Sequence, residues 1–212
     1  GQSGWQGCNL TEINGGKCVT KEDFFLACRA GAILGTLQAG YTDFKFLPDT
    51  TKDIFDREAL LGVSITGWMN NPDILFDAKI LEEGANIVRQ VNREVAEVIG
   101  INAAARTTCV KPSGNASVLL QTASGIHAEH SNMYIRNVQM NKESEVTQAI
   151  QKTNPHMVEE SVWSSGGTDV VVSFPILPKE GSMLKDELIG VDHLELVKKA
   201  QEHWVNAGTN EE

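Results

Sequence analysis

Ala105-Arg106-Thr107-Thr108-Cys109-Val110-Lys111-Pro112-Ser113-Gly114-Asn115-Ala116-Ser117-Val118-Leu119-Leu120 decides how this chain is read. The first six residues have strand composition, Pro112 removes a backbone donor and stops the strand, and Gly114 permits a tight turn. Hydroxyl and amide side chains then meet the free N–H groups of a starting helix, where unpaired amides and the helix dipole together attract an anion. Taken alone, the same Ser and Asn pattern also marks an ordinary helix cap.

Outward from this stretch, residues 79 to 99 carry Leu81, Ala85, Val88, Val91, Val95, Val98 and Ile99 in a helical stripe, with Gly100 as the stop. Helix, strand, loop and helix therefore follow one another, the order of an α/β layered or barrel architecture. Leu60 to Ile65 reads as a buried strand, with the end of a helix as the alternative that periodicity does not separate from it, and Cys8 to Ile13 as a short extended segment. Thr20 and Asp23 approximate a capping box for a helix that reaches Gly40, with Leu26, Ala30, Ile33, Leu34 and Leu37 as its apolar face and Gly31 and Gly35 permitting a close neighbour. Residues 41 to 56 are polar, contain Pro48 and read as a connection. Later come a strand over Met133 to Met140, a polar helical stretch across 143 to 163 interrupted at Pro155, and a turn at Ser164 to Gly167. A strand over Thr168 to Phe174, ended by Pro175 and Pro178, and a last helix from Asp192 to Asn206 complete the pattern.

A chain of 212 residues with 41% hydrophobic content can bury a core. The net charge of −10 argues against a general nucleic-acid surface, which needs a basic stripe. Apolar runs are short and no secretory leader opens the sequence, so cytoplasmic residence is expected and no membrane partner. Cys8, Cys18, Cys28 and Cys109 show no Cys-x-x-Cys spacing and read as reduced thiols, Cys28 and Cys109 as core residues. A local Cys8–Cys18 disulfide stays open as an alternative. His127 and His130 lack a third ligand of suitable spacing, so no metal site is expected. Tyr134 and Arg136 would share one strand face, Lys111 reads as solvent-facing, and Glu12 as a structural or loop carboxylate.

The runs Lys111 to Ser117, Ala123-Ser-Gly-Ile-His127 and Tyr134-Ile-Arg136 resemble the catalytic subunit of ribonucleotide reductases, most closely the adenosylcobalamin-dependent variety. Gly7-Cys8-Asn9-Leu10-Thr11-Glu12-Ile13-Asn14, Leu61 to Gly67, Val170 to Pro175 and Trp204 to Asn210 extend the resemblance over nearly the whole chain. It implies that residues 1–212 are a partial catalytic domain, roughly the second half of a ten-stranded α/β barrel, because the sequence starts with Gly1 and stops within a continuing pattern. It implies that Cys8 is one of two thiols that reduce the substrate, with its partner outside this sequence, and that Ser113, Gly114, Asn115, Ala116 and Ser117 hold the substrate phosphates. Asn115 departs from the family pattern, which usually has threonine there. The family's radical cysteine and neighbouring glutamate, in an Asn-Pro-Cys-Gly-Glu motif, have no match between Gly1 and Glu212.

The function so implied is conversion of ribonucleoside di- or triphosphates to deoxyribonucleotides by thiyl-radical chemistry. Adenosylcobalamin or a separate metal-containing radical subunit would generate the radical, and a dithiol reductant such as thioredoxin would reset the thiols. Two other readings fit the residues: a phosphate-binding α/β barrel without radical chemistry, which leaves Cys8 inert, and a non-catalytic fragment that completes a partner's barrel.

Overall fold

The computed structural model describes residues 4–210, Asn115 by its backbone alone. They form two compact units, one of residues 4–129 with 179–210 and one of residues 130–178.

In the first unit, strand β1 (Asn9–Asn14) pairs in parallel with β2 (Leu61–Thr66), from Asn9 opposite Leu61 to Asn14 opposite Thr66. Parallel neighbours need a crossover, and helices α1 (Lys21–Ala39) and α2 (Asp49–Glu58) supply it. The extended residues 105 to 110 lie along the other side of β2. The Leu61 amide donates to the Arg106 carbonyl (3.0 Å), the Val63 amide to Thr107 (2.9 Å) and the Cys109 amide to Val63 (3.0 Å). Toward β2 the segment forms the bridge Val63–Thr108, and on its far side it meets the C-terminal residues, with a bridge between Arg106 and Thr209 and the Thr107 amide bound to the Gly208 carbonyl at 2.9 Å.

Thr20 and Asp23 close the capping box of α1 as the sequence predicts. Its buried face is a correction: Phe24, Cys28, Gly31, Ala32 and Gly35 point inward, while Leu26, Leu34 and Leu37 are exposed. Gly31 and Gly35 bring this face close to the sheet, since a Cβ on them would lie 3.1 Å from Val63 and 3.2 Å from Leu61, tight enough that the neighbouring side chains would have to shift. Helix α2 is a second correction to the expected connection over 41 to 56; its one buried residue is Thr51, so its composition carries no apolar stripe.

After the short α3 (Pro72–Leu75), α4 (Ala78–Ile99) is capped by Asp77, whose carboxylate accepts the Ile80 amide at 3.0 Å, and stopped by Gly100 at φ +74°. Leu81, Ala85, Val88 and Val91 are buried as the stripe predicts, whereas Val98 and Ile99 are exposed. The core lies between α1, α4 and β2, with Trp204 and Phe24 in contact at its centre. Helix α5 (Asn115–Leu120) follows the Pro-Ser-Gly turn.

The second unit is an antiparallel sheet in the order β3 (Tyr134–Asn141), β5 (Asp169–Ile176), β4 (Val158–Glu160), with helix α6 (Glu145–Thr153). Strand β5 runs through Pro175 instead of ending there. Its β4 partner covers only Val170 to Val172, so Pro175 stands where one side of the strand is an edge and no donor is missed. β4 likewise occupies residues expected to be helical. Back in the first unit, α7 (Gly190–Ala200) continues into a π-helical turn, Gln201–Val205, that delivers Trp204 to the core. Among the described residues no helix is long and apolar enough to cross a membrane.

Candidate functional site

Side chains alternate across a strand, so the two parallel strands sort their residues onto two faces. Thr11, Ile13, Leu61 and Val63 meet α1. Cys8, Leu10, Glu12 and Asn14, with Gly62, Ser64 and Thr66, belong to the opposite face. Cys109, Lys111 and Ser113 join them from the next segment, and their contacts form three tiers along β2.

The first tier is two thiols. The sulfurs of Cys8 and Cys109 each lie 2.9 Å from the point a Cβ would occupy on Gly62. Cys8 is exposed and Cys109 half-buried. Cys109 is therefore not the core residue the sequence suggests. Partial desolvation by its neighbours raises the pKa of Cys8 although the residue reaches solvent, and burial pushes Cys109 up to about 11, with Cys8 adding to the rise and Lys111 opposing it.

The second tier is an ion pair. Lys111 Nζ lies 2.5 Å from Glu12 Oε2, with side chains 21% and 9% exposed, and the Lys111 amide donates to Ser64 Oγ at 3.3 Å. The lysine expected in solvent and the carboxylate expected in a loop are thus partners that meet across β2 from the two segments flanking it. Glu12 Oε1 and Asn14 Oδ1 are buried acceptors with no hydrogen bond among the described residues. Leaving buried acceptors unmet costs free energy, and they mark this face as built to meet a donor.

The third tier is the loop. Thr66 Oγ1 donates to Ser113 Oγ at 2.8 Å and accepts the Gly125 amide at 2.9 Å. Ser113 and Ser117 are buried at 4% and 1% exposure, and Ser117 Oγ donates to the Gly114 carbonyl at 3.2 Å. The Ala116 amide is taken by the Ser113 carbonyl at 3.0 Å. The Gly114 and Ser117 amides find no acceptor among the described residues, and no side chain caps α5. Gly114 has φ +50° and open space around it, so backbone conformation rather than crowding requires glycine there. Four residues of strand, on the order of 13 Å, separate Gly62 beside the thiols from Thr66 beside this loop.

The remaining cysteines lie off this face. Cys18 and Cys28 are buried, and they and the exposed Cys8 are all free thiols, so the local disulfide does not form. Burial, with Asp23 adding, pushes Cys18 up to about 11, and burial holds Cys28 well above the ordinary thiol range. His127 packs edge-on against His193, and His130 against Tyr134. No cluster of metal-binding side chains occurs among the described residues. Tyr134 and Arg136 share a face as expected, with the guanidinium 5.8 Å from the ring centroid and bonded to the phenol oxygen at 3.1 Å. Cys109, Lys111 and Glu12 were legible in principle through the two-residue period, which places them with Ser113 and Cys8.

The chain is similar to a probable adenosylcobalamin-dependent ribonucleoside-triphosphate reductase of Dictyostelium discoideum, 26% identical over 205 residues, which cover 94% of this chain and 26% of that protein. It is also similar to the adenosylcobalamin-dependent ribonucleoside-triphosphate reductase of Euglena gracilis, 24% identical over 159 residues, 74% of this chain and 22% of that one. It thus spans about a quarter of the length of these curated relatives. The crystal structure of a B-12 dependent, class II ribonucleotide reductase superposes with a TM-score of 0.67 at 16% identity, over 93% of this chain and 31% of the other, a likeness of fold. No family model matches. The resemblance carried by the motifs is therefore met again in overall sequence and in an α/β fold.

Proposed function

We propose that this chain is a segment of the catalytic subunit of a ribonucleotide reductase, residues 1–212 forming roughly the second half of its ten-stranded barrel, and that it acts in the cytoplasm. The observation that carries this is one strand face with a thiol at one end and a loop with unpaired amides at the other. That spacing suits a nucleotide whose sugar must meet the thiols while its phosphates are held apart.

In this reading Ser113 to Ser117 hold the phosphates of a ribonucleoside di- or triphosphate, and the buried serine hydroxyls shape the loop while its backbone amides face the anion. Glu12 and Asn14 offer acceptors to hydroxyl groups between the two ends. Cys8 reduces the substrate together with a second thiol, and an external dithiol such as thioredoxin restores both. Its exposure favours this over the reading in which Cys8 is inert.

Adenosylcobalamin, named in both relatives, is the group that would supply the radical. The face around Cys8 presents thiols, Ser64 and the Glu12–Lys111 pair, groups that meet a substrate, so the cofactor would be held by other parts of the enzyme. A radical from a separate metal-containing subunit is the alternative.

The test is Cys8→Ser in a complete enzyme containing this segment. Multiple turnover with a dithiol reductant is expected to vanish while nucleotide affinity stays within about twofold, since one neutral side chain is changed away from the phosphate loop. Undiminished turnover would overturn the assignment.

A further inference from the structure

We propose that Arg89 and Arg93 of α4, held by Asn210, form a binding site for the phosphate group of a small molecule. It shares no residue with the face that carries the thiols and the loop, and it does not depend on the reductase reading.

The two arginines stand one turn apart on α4, where neighbouring like charges are unfavourable. Both guanidiniums nevertheless converge on one oxygen. Arg89 Nε donates to Asn210 Oδ1 at 3.3 Å, and Arg93 Nη2 donates to the same atom at 2.7 Å. That amide is itself fixed, because Asn210 Nδ2 donates to the Ala104 carbonyl at 2.5 Å and the Asn210 backbone amide to Ala105 at 3.2 Å. Arg89 Nη1 also donates to the Ala207 carbonyl at 3.3 Å and to Asn86 Oδ1 at 3.4 Å. Every one of these acceptors is neutral. Lys21, Lys52, Arg57, Lys111 and Lys142 each meet a carboxylate, whereas Arg89 and Arg93 meet none among the described residues.

Arg89 Nη2 and Arg93 Nε and Nη1 thus keep donors to spare, and the two side chains border an open depression of about 370 Å³ with Asn86, Gln90, Glu94 and Glu97. Glu94 is occupied by Gln90 Nε2 at 2.9 Å, and Glu97 follows Arg93 in the order that pairs less well along a helix. Two forks whose orientation is already set suit an anion with several oxygens pointing in different directions. A tetrahedral phosphate can meet both at once, whereas the single edge of a carboxylate is filled by one fork. In a chain of net charge −10 the basic area is confined to this pair, which matches one phosphate group and not a nucleic-acid backbone. Glu97, facing the same depression, opposes the anion and limits its affinity.

The experiment titrates the full chain, labelled with nitrogen-15, with inorganic phosphate at constant ionic strength and reads the Nε–H signals of Arg89 and Arg93 and the side-chain amide of Asn210. Saturable shifts at all three are expected, and chloride alone is expected to produce none. Arg93→Gln removes charge-assisted bonds and is expected to weaken binding by about tenfold or more, while Glu97→Gln tightens it. Methyl phosphate in place of phosphate tells an ester-borne group, bound equally well, from the free ion, bound better; either keeps the phosphate assignment. Acetate that binds as tightly as phosphate would overturn it in favour of an acidic peptide. Binding seen only after Glu211→Gln with Glu212→Gln would also overturn it, because the arginines would then serve the acidic residues that follow Asn210 in the sequence. The readout is local to α4 and Asn210, so its failure is separate from failure of the loop or of the reductase reading.

Discussion

The Lys111–Glu12 pair shows what a single residue contributes to this face. Two charges from the segments on either side of β2 are held together with little water contact, so each is tolerable because the other is present. Lys111→Met removes the compensation and leaves a buried carboxylate, a loss on the order of 3 kcal/mol. Lys111→Met with Glu12→Gln is expected to recover most of that stability, measured by urea unfolding, because no bare charge remains. A single variant as stable as wild type would show that the pair is a surface contact.

Cys18 makes a second residue-scale prediction. Its thiol is pushed up to about 11 chiefly by burial, so the folded state favours the protonated form. The stability this brings is whole below the ordinary thiol range and is lost as pH rises through about 11. Unfolding free energy is therefore expected to fall on the alkaline side, and Cys18→Ala to flatten that limb. An unchanged alkaline slope in the variant would assign the fall to other groups.

At the scale of elements, close backbone approach outweighs hydrophobic side chains in placing the helices. Gly84 of α4 meets α1, and a Cβ there would lie 2.5 Å from Phe24 Cε1 and 3.1 Å from Cys28 Sγ, both fully buried. Alanine gains about 1 kcal/mol of helix propensity over glycine, but overpacking a rigid ring costs about 1–3 kcal/mol. Gly84→Ala is expected to lower the thermal midpoint, and a raised midpoint would mean that the two helices can separate freely.

The same effect explains which elements were legible. The capping box of α1 and the first three turns of the α4 stripe with its glycine stop follow from local chemistry, and they stand where the sequence puts them. The buried face of α1 did not follow, because a scan for large apolar residues selects Leu26, Leu34 and Leu37 and passes over Gly31 and Gly35, whose value lies in what they lack. Helix α2 has almost no buried side chain to give it a period. The site was half legible. The loop is written in Pro112, Ser113 and Gly114, whereas the meeting of Cys8 with Cys109 depends on Gly62 between them, a juxtaposition across strands that no linear spacing contains.

For the molecule as a whole, the question is what one such segment does alone. The outer edge of β1 has no strand partner among the described residues, and α1 exposes Leu26, Leu34 and Leu37 along its length. Open edges and apolar stripes of this kind recruit other chains. The sequence holds no match to the radical cysteine and its glutamate, and the chain spans about a quarter of its curated relatives. The purified chain is therefore expected to form no deoxynucleotide with any radical source, and to associate in a concentration-dependent way by light scattering. Adding the upstream segment of a complete reductase is expected to suppress that association, because a strand laid on β1 satisfies the same backbone groups that otherwise pair between copies. Deoxynucleotide formation by the chain alone would mean that its own thiols, Cys8 with Cys109, carry the radical step, and the division of labour proposed for this face would have to be redrawn.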